Sequence, residues 1–205
     1  PKLDDNTAGR SARPGTSSLL AAALAYMDRG WWVFPAFVVW DEAAGRKKPR
    51  FPESWKAASS NDPAMALMWF GAAGLYRDAV LCIDCGRSGL AVVDVDVKAG
   101  GRENWQAFRE RHGDVPETYR AGTPSGGEHW LYAAGESGRS IDSASKIAPG
   151  VDFRGEGGLI FAAPSAIEGY GRYRWLEGEP TGGTGDCPPV PGSVVRAPGK
   201  PPPRA

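Results

Sequence analysis

The chain has 205 residues and 21.8 kDa, which suits one large domain or two small ones, with a core that needs no disulfide or metal staple. Its 24 Lys and Arg balance 24 Asp and Glu, so the totals show no general electrostatic grip on nucleic acid. The longest apolar stretch, Trp31 to Trp40, is too short to span a bilayer, and no signal peptide opens the chain.

Residues 1–16 are polar and without pattern and read as a disordered N-terminal tail. The start at Pro1 rather than Met reads as a fragment. Ser17 or Ser18 can cap a first helix, with Leu20, Leu24 and Met27 on one face and Gly30 as its stop. Trp31 to Trp40 reads as a buried strand, followed by a turn carrying Arg46, Lys47, Lys48 and Pro49. Asp62-Pro63 opens a second helix, with Asp62 as cap and Pro63 in the first helical position. Ala79 to Cys85 reads as a strand, Gly86 to Gly89 as a turn, and Leu90 to Val97 as its hairpin partner.

Gly101 leads into a helix with Trp105, Phe108 and His112 on one face and Gly113 as stop. His112 reads as a cap for the last carbonyls. Short strands follow at Thr118 to Ala121, His129 to Ala133, Val151 to Arg154, Leu159 to Ala163 and Tyr170 to Trp175. The order is αβαββα and then antiparallel hairpins, an α+β pattern rather than a doubly wound array. From Pro180 the chain holds eight Pro and five Gly in 26 residues, so 177–205 reads as a Pro/Gly-rich tail or linker. The folded unit is expected at 17–176.

Three segments stand out chemically. In Val93-Asp94-Val95-Asp96-Val97, alternation puts both aspartates on one strand face and the valines on the other. Aspartate is a poor strand former, so the pair needs a reason. It is either a site for a hard cation such as Mg²⁺ or Mn²⁺ or a solvated strand face that happens to be acidic. In Thr123-Pro124-Ser125-Gly126-Gly127-Glu128-His129, small residues can bring backbone N–H groups to a phosphate, with His129 beside them. An ordinary hairpin turn with a surface histidine has the same composition. Asp152 and Arg154, in Val151-Asp152-Phe153-Arg154, share a strand face, as a cross-strand ion pair or as a metal ligand beside a triphosphate clamp. Clustered carboxylates with cationic and backbone donors are what metal-assisted phosphoryl transfer needs.

These blocks, with Phe34-Pro35, Arg46-Lys47-Lys48-Pro49, Trp55-Lys56, Ala162-Ala163-Pro164-Ser165 and Tyr173-x-Trp175, resemble the N-terminal primase–polymerase domain of the archaeo-eukaryotic primase superfamily. The likeness runs from about Ser17 to Trp175. It implies an N-terminal α/β unit packed on an RRM-like unit, with the active-site cleft between them. It also implies a DNA primase/polymerase that adds NTPs or dNTPs to a 3′-hydroxyl and releases pyrophosphate. Carried over by residue, Asp94, Asp96 and Asp152 would hold two divalent ions, Mg²⁺ or Mn²⁺. His129 would be a catalytic contact to the triphosphate, beside Ser125, Gly126 and Gly127. Arg154, Lys146 and Lys48 would be further nucleotide contacts, and Lys47 stands as an alternative to Lys48.

The sequence departs from the pattern at Gly122, where relatives often carry Arg; Arg120 lies two places earlier. Cys82 and Cys85 form C-x-x-C with only Cys187 besides, so structural zinc is disfavoured and a reducing compartment fits. Of eight tryptophans, Trp40, Trp130 and Trp175 are candidates for exposure in the cleft. The implied partners are single-stranded DNA template, primer and a helicase domain or protein, with no membrane. The implied setting is the cytoplasm of a bacterial host, in replication of a phage, plasmid or bacterial element. An idle nucleic-acid-binding module of the same fold, or a metal-dependent nuclease or nucleotide hydrolase, would use the same residues.

Overall fold

The computed structural model describes residues 16–76, 79–136 and 146–197. Apart from Thr16, the expected N-terminal tail lies outside them.

Helix α1 (Thr16–Asp28) ends where Gly30 takes φ 80° and donates to the Met27 carbonyl. Its buried side is Leu19, Ala23, Tyr26 and Met27, one step round from the expected Leu20–Leu24 stripe. Strand β1 (Trp32–Asp41) runs antiparallel to β2 (Arg46–Arg50) on one side and β3 (Val80–Asp84) on the other. The basic segment expected as a turn is thus an edge strand, and its Pro49 suits an edge because it needs no ladder donor. Between β2 and β3 lie α2 (Trp55–Ala58) and α3 (Pro63–Phe70). Asp62 caps α3 by accepting from the Ala64 N–H at 2.9 Å, as read.

β3 and β4 (Leu90–Val95) are not a hairpin. Both edges of β3 are taken, by β1 and by β9 (Leu159–Phe161), in a sheet ordered β2-β1-β3-β9. The turn at Gly86–Gly89 instead carries the chain into a second sheet, ordered β12-β5-β6-β4-β8-β7. Its members are β5 (Arg120–Gly122), β6 (Glu128–Ala133), β7 (Lys146–Ala148), β8 (Val151–Arg154) and β12 (Arg174–Trp175). A short 3₁₀ turn (Val97–Ala99) and α4 (Gly101–His112) link β4 to β5. The expected β5–β6 hairpin is present, and β8 pairs with β7, a strand not anticipated from the sequence. After β8 the chain crosses back, so β9 pairs with β3 rather than β8. The two crossings touch: the Cys85 N–H donates to the Gly158 carbonyl, and a side chain on Gly86 would meet Glu156. Strands β10 (Ala166–Ile167) and β11 (Gly171–Arg172) form a small separate hairpin.

Alternation along β4 divides the core. Leu90 and Val92 join the core shared with the four-stranded sheet, α1 and α3. Ala91, Val93 and Val95 join a second core under α4, with Trp105, Trp130 and Phe153. The segment read as a linker differs from that expectation as far as residue 197. Cys187 is buried in the first core, Val190 and Val194 in the second, and Pro189 bridges to Ala133. A final turn, α5 (Gly192–Val195), is pinned by Asp114, which accepts from the Ser193 N–H and hydroxyl. Three apolar side chains, not the Pro and Gly count, decide where this segment lies. Among the described residues no helix is long and apolar enough to cross a membrane.

Candidate active site

Strand register assembles the site. Asp94 on β4 lies directly opposite His129 on β6 and directly opposite Asp152 on β8. Directly paired residues project to the same face, so the three form a row across three adjacent strands. Arg154, two residues beyond Asp152, is on that face too. Its guanidinium donates to Asp94 Oδ2 from Nε (3.3 Å) and Nη2 (3.1 Å) and to Asp152 Oδ2 from Nη2 (3.2 Å). One positive charge therefore already bridges two of the three expected metal ligands. His129 Nε2 stands 3.6 Å from Asp94 Oδ1, and Nδ1 has no partner among the described residues. Burial holds the His129 imidazole below its ordinary range, against the pull of Asp94, so the ring is neutral near pH 7.

Asp96 lies one step beyond the end of β4. Its carboxylate caps the 3₁₀ turn, accepting from the Lys98 N–H at 3.0 Å, and it is exposed at the cleft edge. Among the described residues, no three His, Cys, Asp or Glu side chains converge on one metal position. The donor set still fits a hard cation. All three groups are carboxylates, and Asp94 and Asp152 share a cationic partner across adjacent strands.

The row faces a cleft of about 750 Å³ that the four-stranded sheet closes from the other side. Lys47 on β2 reaches into it. Its ammonium donates to the Tyr173 hydroxyl at 3.0 Å and lies 5.2, 5.8 and 5.7 Å from the ring centres of Phe161, Tyr170 and Tyr173. Burial lowers the Lys47 pKa from the lysine range, opposed by the attraction of Asp94 and Asp96. Trp40 stacks on Tyr170 at 4.0 Å and lines the same cleft. Thr123 and Ser125 line it from the Gly-rich turn, with hydroxyls 3.1 Å apart.

Three expected nucleotide contacts stand elsewhere. Lys48 is exposed on the opposite face of β2, paired with Asp41 at 2.6 Å, because neighbouring strand residues point to opposite faces. Gly126 and Gly127 do not line this cleft but a second cavity beneath α4. A Cβ on Gly127 would lie 2.3 Å from the Val95 carbonyl oxygen, so this glycine is needed to seat the turn on β4. Lys146 is exposed but touches the site, donating to Asp152 Oδ1 at 2.8 Å.

Of the candidate tryptophans, Trp40 lines the cleft. Trp130 is buried on the α4 side beneath Arg109 and Arg120, and Trp175 packs on Tyr26. Arg120 is paired with Glu128 and Glu177 rather than standing in for the missing Arg of the turn. His112 ends α4 exposed, with its ring 4.3 Å from that of Phe108. Cys82 and Cys85 are both fully buried in the first core, where desolvation pushes their thiols up. Lys47, Tyr170 and Tyr173 are the members the motif blocks alone did not single out as a group. The alternation within Arg46–Arg50 was the available signal for Lys47 over Lys48.

Comparison with curated proteins finds no match. Residues 23–193 match the family model of the bifunctional DNA primase/polymerase N-terminal domain, a span that holds every residue of the row and of the cleft described above. The chain therefore belongs to the bifunctional DNA primase/polymerase N-terminal family.

Proposed function

We propose that this chain is a template-directed nucleotidyltransferase, adding NTPs or dNTPs to a primer 3′-hydroxyl on single-stranded DNA. The observation that carries the reading is the Asp94 row: two register-paired acids, one neutral histidine and one bridging arginine, facing a cage-held lysine across a cleft. The strand order β5-β6-β4-β8, all antiparallel, with α4 between β4 and β5, supports reading the six-stranded sheet as an RRM-like unit. The four-stranded sheet with α1 and α3 would then be the N-terminal α/β unit, and the cleft between them the active site.

In this reading Asp94, Asp96 and Asp152 hold two Mg²⁺ or Mn²⁺ ions. The ions, when bound, would lower the pKa of the attacking hydroxyl and offset charge on the leaving pyrophosphate. The chain's own residues bind and orient. His129 offers an unpartnered ring nitrogen from a dry position, where a hydrogen bond to a phosphate oxygen is worth more than in water. Lys47 brings a partly desolvated ammonium from the opposite wall. Arg154 bridges Asp94 and Asp152 in the free protein and would be free to turn to a triphosphate oxygen once metal ions take its place on the acids. The Ser125 hydroxyl completes the polar rim. The Trp40–Tyr170 stack gives a base an aromatic edge to rest against. Replication of a phage, plasmid or bacterial element in a bacterial cytoplasm, beside a helicase, is the setting this activity suits.

The test is incubation with Mn²⁺ or Mg²⁺, labelled nucleotides and single-stranded DNA, with and without primer, beside the Asp94→Ala/Asp96→Ala variant. Template-dependent products that vanish in the variant support the reading. Shortened DNA, hydrolysed nucleotide or equal product from the variant would overturn it.

A further inference from the structure

The β1–β2 hairpin has a second face. Toward the cleft it presents Trp40 and Val38, in register with Lys47 and Pro49. On the other face Arg46, Lys48 and Arg50 take the alternate positions of β2, and all three are exposed; Arg46, beside the hairpin turn, also borders the cleft. They stand in register with Asp41, Val39 and Phe37, of which Val39 is 61% and Phe37 40% exposed. Alternate strand residues are about 7 Å apart, so the three cations form a straight row about 14 Å long beside an apolar strip. Lys48 is shared with Asp41, but among the described residues Arg46 and Arg50 have no carboxylate partner.

The whole chain has a formal charge of zero, so this row is a local concentration rather than a sample of a basic surface. Protection of an edge strand accounts for Pro49 and one lysine. It does not account for two unpaired arginines flanking that lysine, nor for an exposed phenylalanine and valine beside them. Cations in line with exposed apolar groups are what a single-stranded polynucleotide needs: charge along its backbone and surface for its unstacked bases. The same hairpin carries Trp40 and Lys47 at the cleft, so a strand lying on the outer face is one strand thickness from the proposed active site.

We propose that the outer face of the β1–β2 hairpin, through Arg46 and Arg50 with Lys48, is a track for the phosphate backbone of single-stranded nucleic acid leading to the cleft. The direction of travel rests on the polymerase reading; the binding itself does not. Binding of a fluorescent oligo(dT) is therefore measured by anisotropy without metal or nucleotide, from low to moderate salt. Arg46→Glu/Arg50→Glu should lower affinity at least tenfold and flatten the slope of log affinity against log salt by about 1.4, since each phosphate contact on a single strand adds about 0.7. Arg46→Ala/Arg50→Ala should act in the same direction. A control with two exposed arginines reversed elsewhere, Arg111→Glu/Arg174→Glu, should change affinity less than twofold. An unaltered affinity in the hairpin variants, an equal loss in the control, or tighter binding to duplex than to oligo(dT) would overturn the track. Loss of oligo(dT) binding in the hairpin variants of a protein that makes no polymer would sink the polymerase reading and leave the track standing.

Discussion

The two sheets contribute to the cleft in different ways. The six-stranded sheet supplies its floor by register alone: Asp94, His129 and Asp152 meet because β6, β4 and β8 are neighbours in step. The four-stranded sheet supplies the opposite wall by tertiary placement. Trp40, Lys47 and Phe161 come from β1, β2 and β9, and they face the acids only because the chain crosses between sheets at Gly86–Gly89 and again after β8. A charge row set by register tolerates little change in identity but needs little from elsewhere. A wall set by packing depends on many contacts that carry no chemistry.

That contrast can be broken most forcefully at the floor. Asp152→Asn should cut nucleotide transfer by at least about a hundredfold, as loss of a charge aimed at the reacting centre does, while the thermal midpoint stays within a few degrees. A steady-state assay beside a melting curve checks both halves. Gly127→Ala acts on the same floor through backbone: the new methyl meets the Val95 carbonyl, and the displaced turn should cost about 1–3 kcal/mol in urea unfolding. On the wall, Lys47→Ala should weaken nucleotide binding about tenfold in isothermal titration, and Lys48→Ala less than twofold. Equal effects from the two neighbours would contradict their placement on opposite faces. Tyr173→Phe removes one hydrogen bond to the Lys47 ammonium and should raise KM for nucleotide two- to tenfold with kcat nearly unchanged.

The smallest effect is a pH dependence. Burial lowers the His129 pKa in the folded state below its unfolded value near 6.5. Between those two values the unfolded chain binds more protons, so stability is full above about pH 6.5 and falls as pH drops below it. Urea midpoints of the metal-free protein should therefore decline from pH 7.5 to 5.5. The decline should be shallower in His129→Asn, whatever that variant's absolute stability.

The floor was legible in the sequence because period-2 alternation is local: Asp94 and Asp96, and Asp152 and Arg154, could be placed on strand faces by counting. Alternation does not say where a strand ends. Asp96 falls just past β4 and turns to cap the Lys98 N–H, which counting along a strand does not show. Nor does it say which strands pair. A short turn between two apolar runs looks like a hairpin, yet β3 already has β1 and β9 on its edges, and only the assembled sheet reveals that competition. Composition misled at the C-terminus for a related reason. Pro and Gly mark irregular backbone, and irregular backbone can still bury Cys187, Val190 and Val194. The wall was half legible: Lys47 and Lys48 were both in view, and recognising Arg46–Arg50 as a strand rather than a turn separates them.

The most direct test of the joint site is a crystal structure with Mn²⁺ and a nucleotide whose α–β bridge cannot be cleaved. The account predicts anomalous manganese density between Asp94 and Asp152, with the triphosphate between His129 and Lys47 and Arg154 drawn off the acids. Manganese away from these carboxylates, or a nucleotide bound beneath α4 instead of in the cleft, would contradict it.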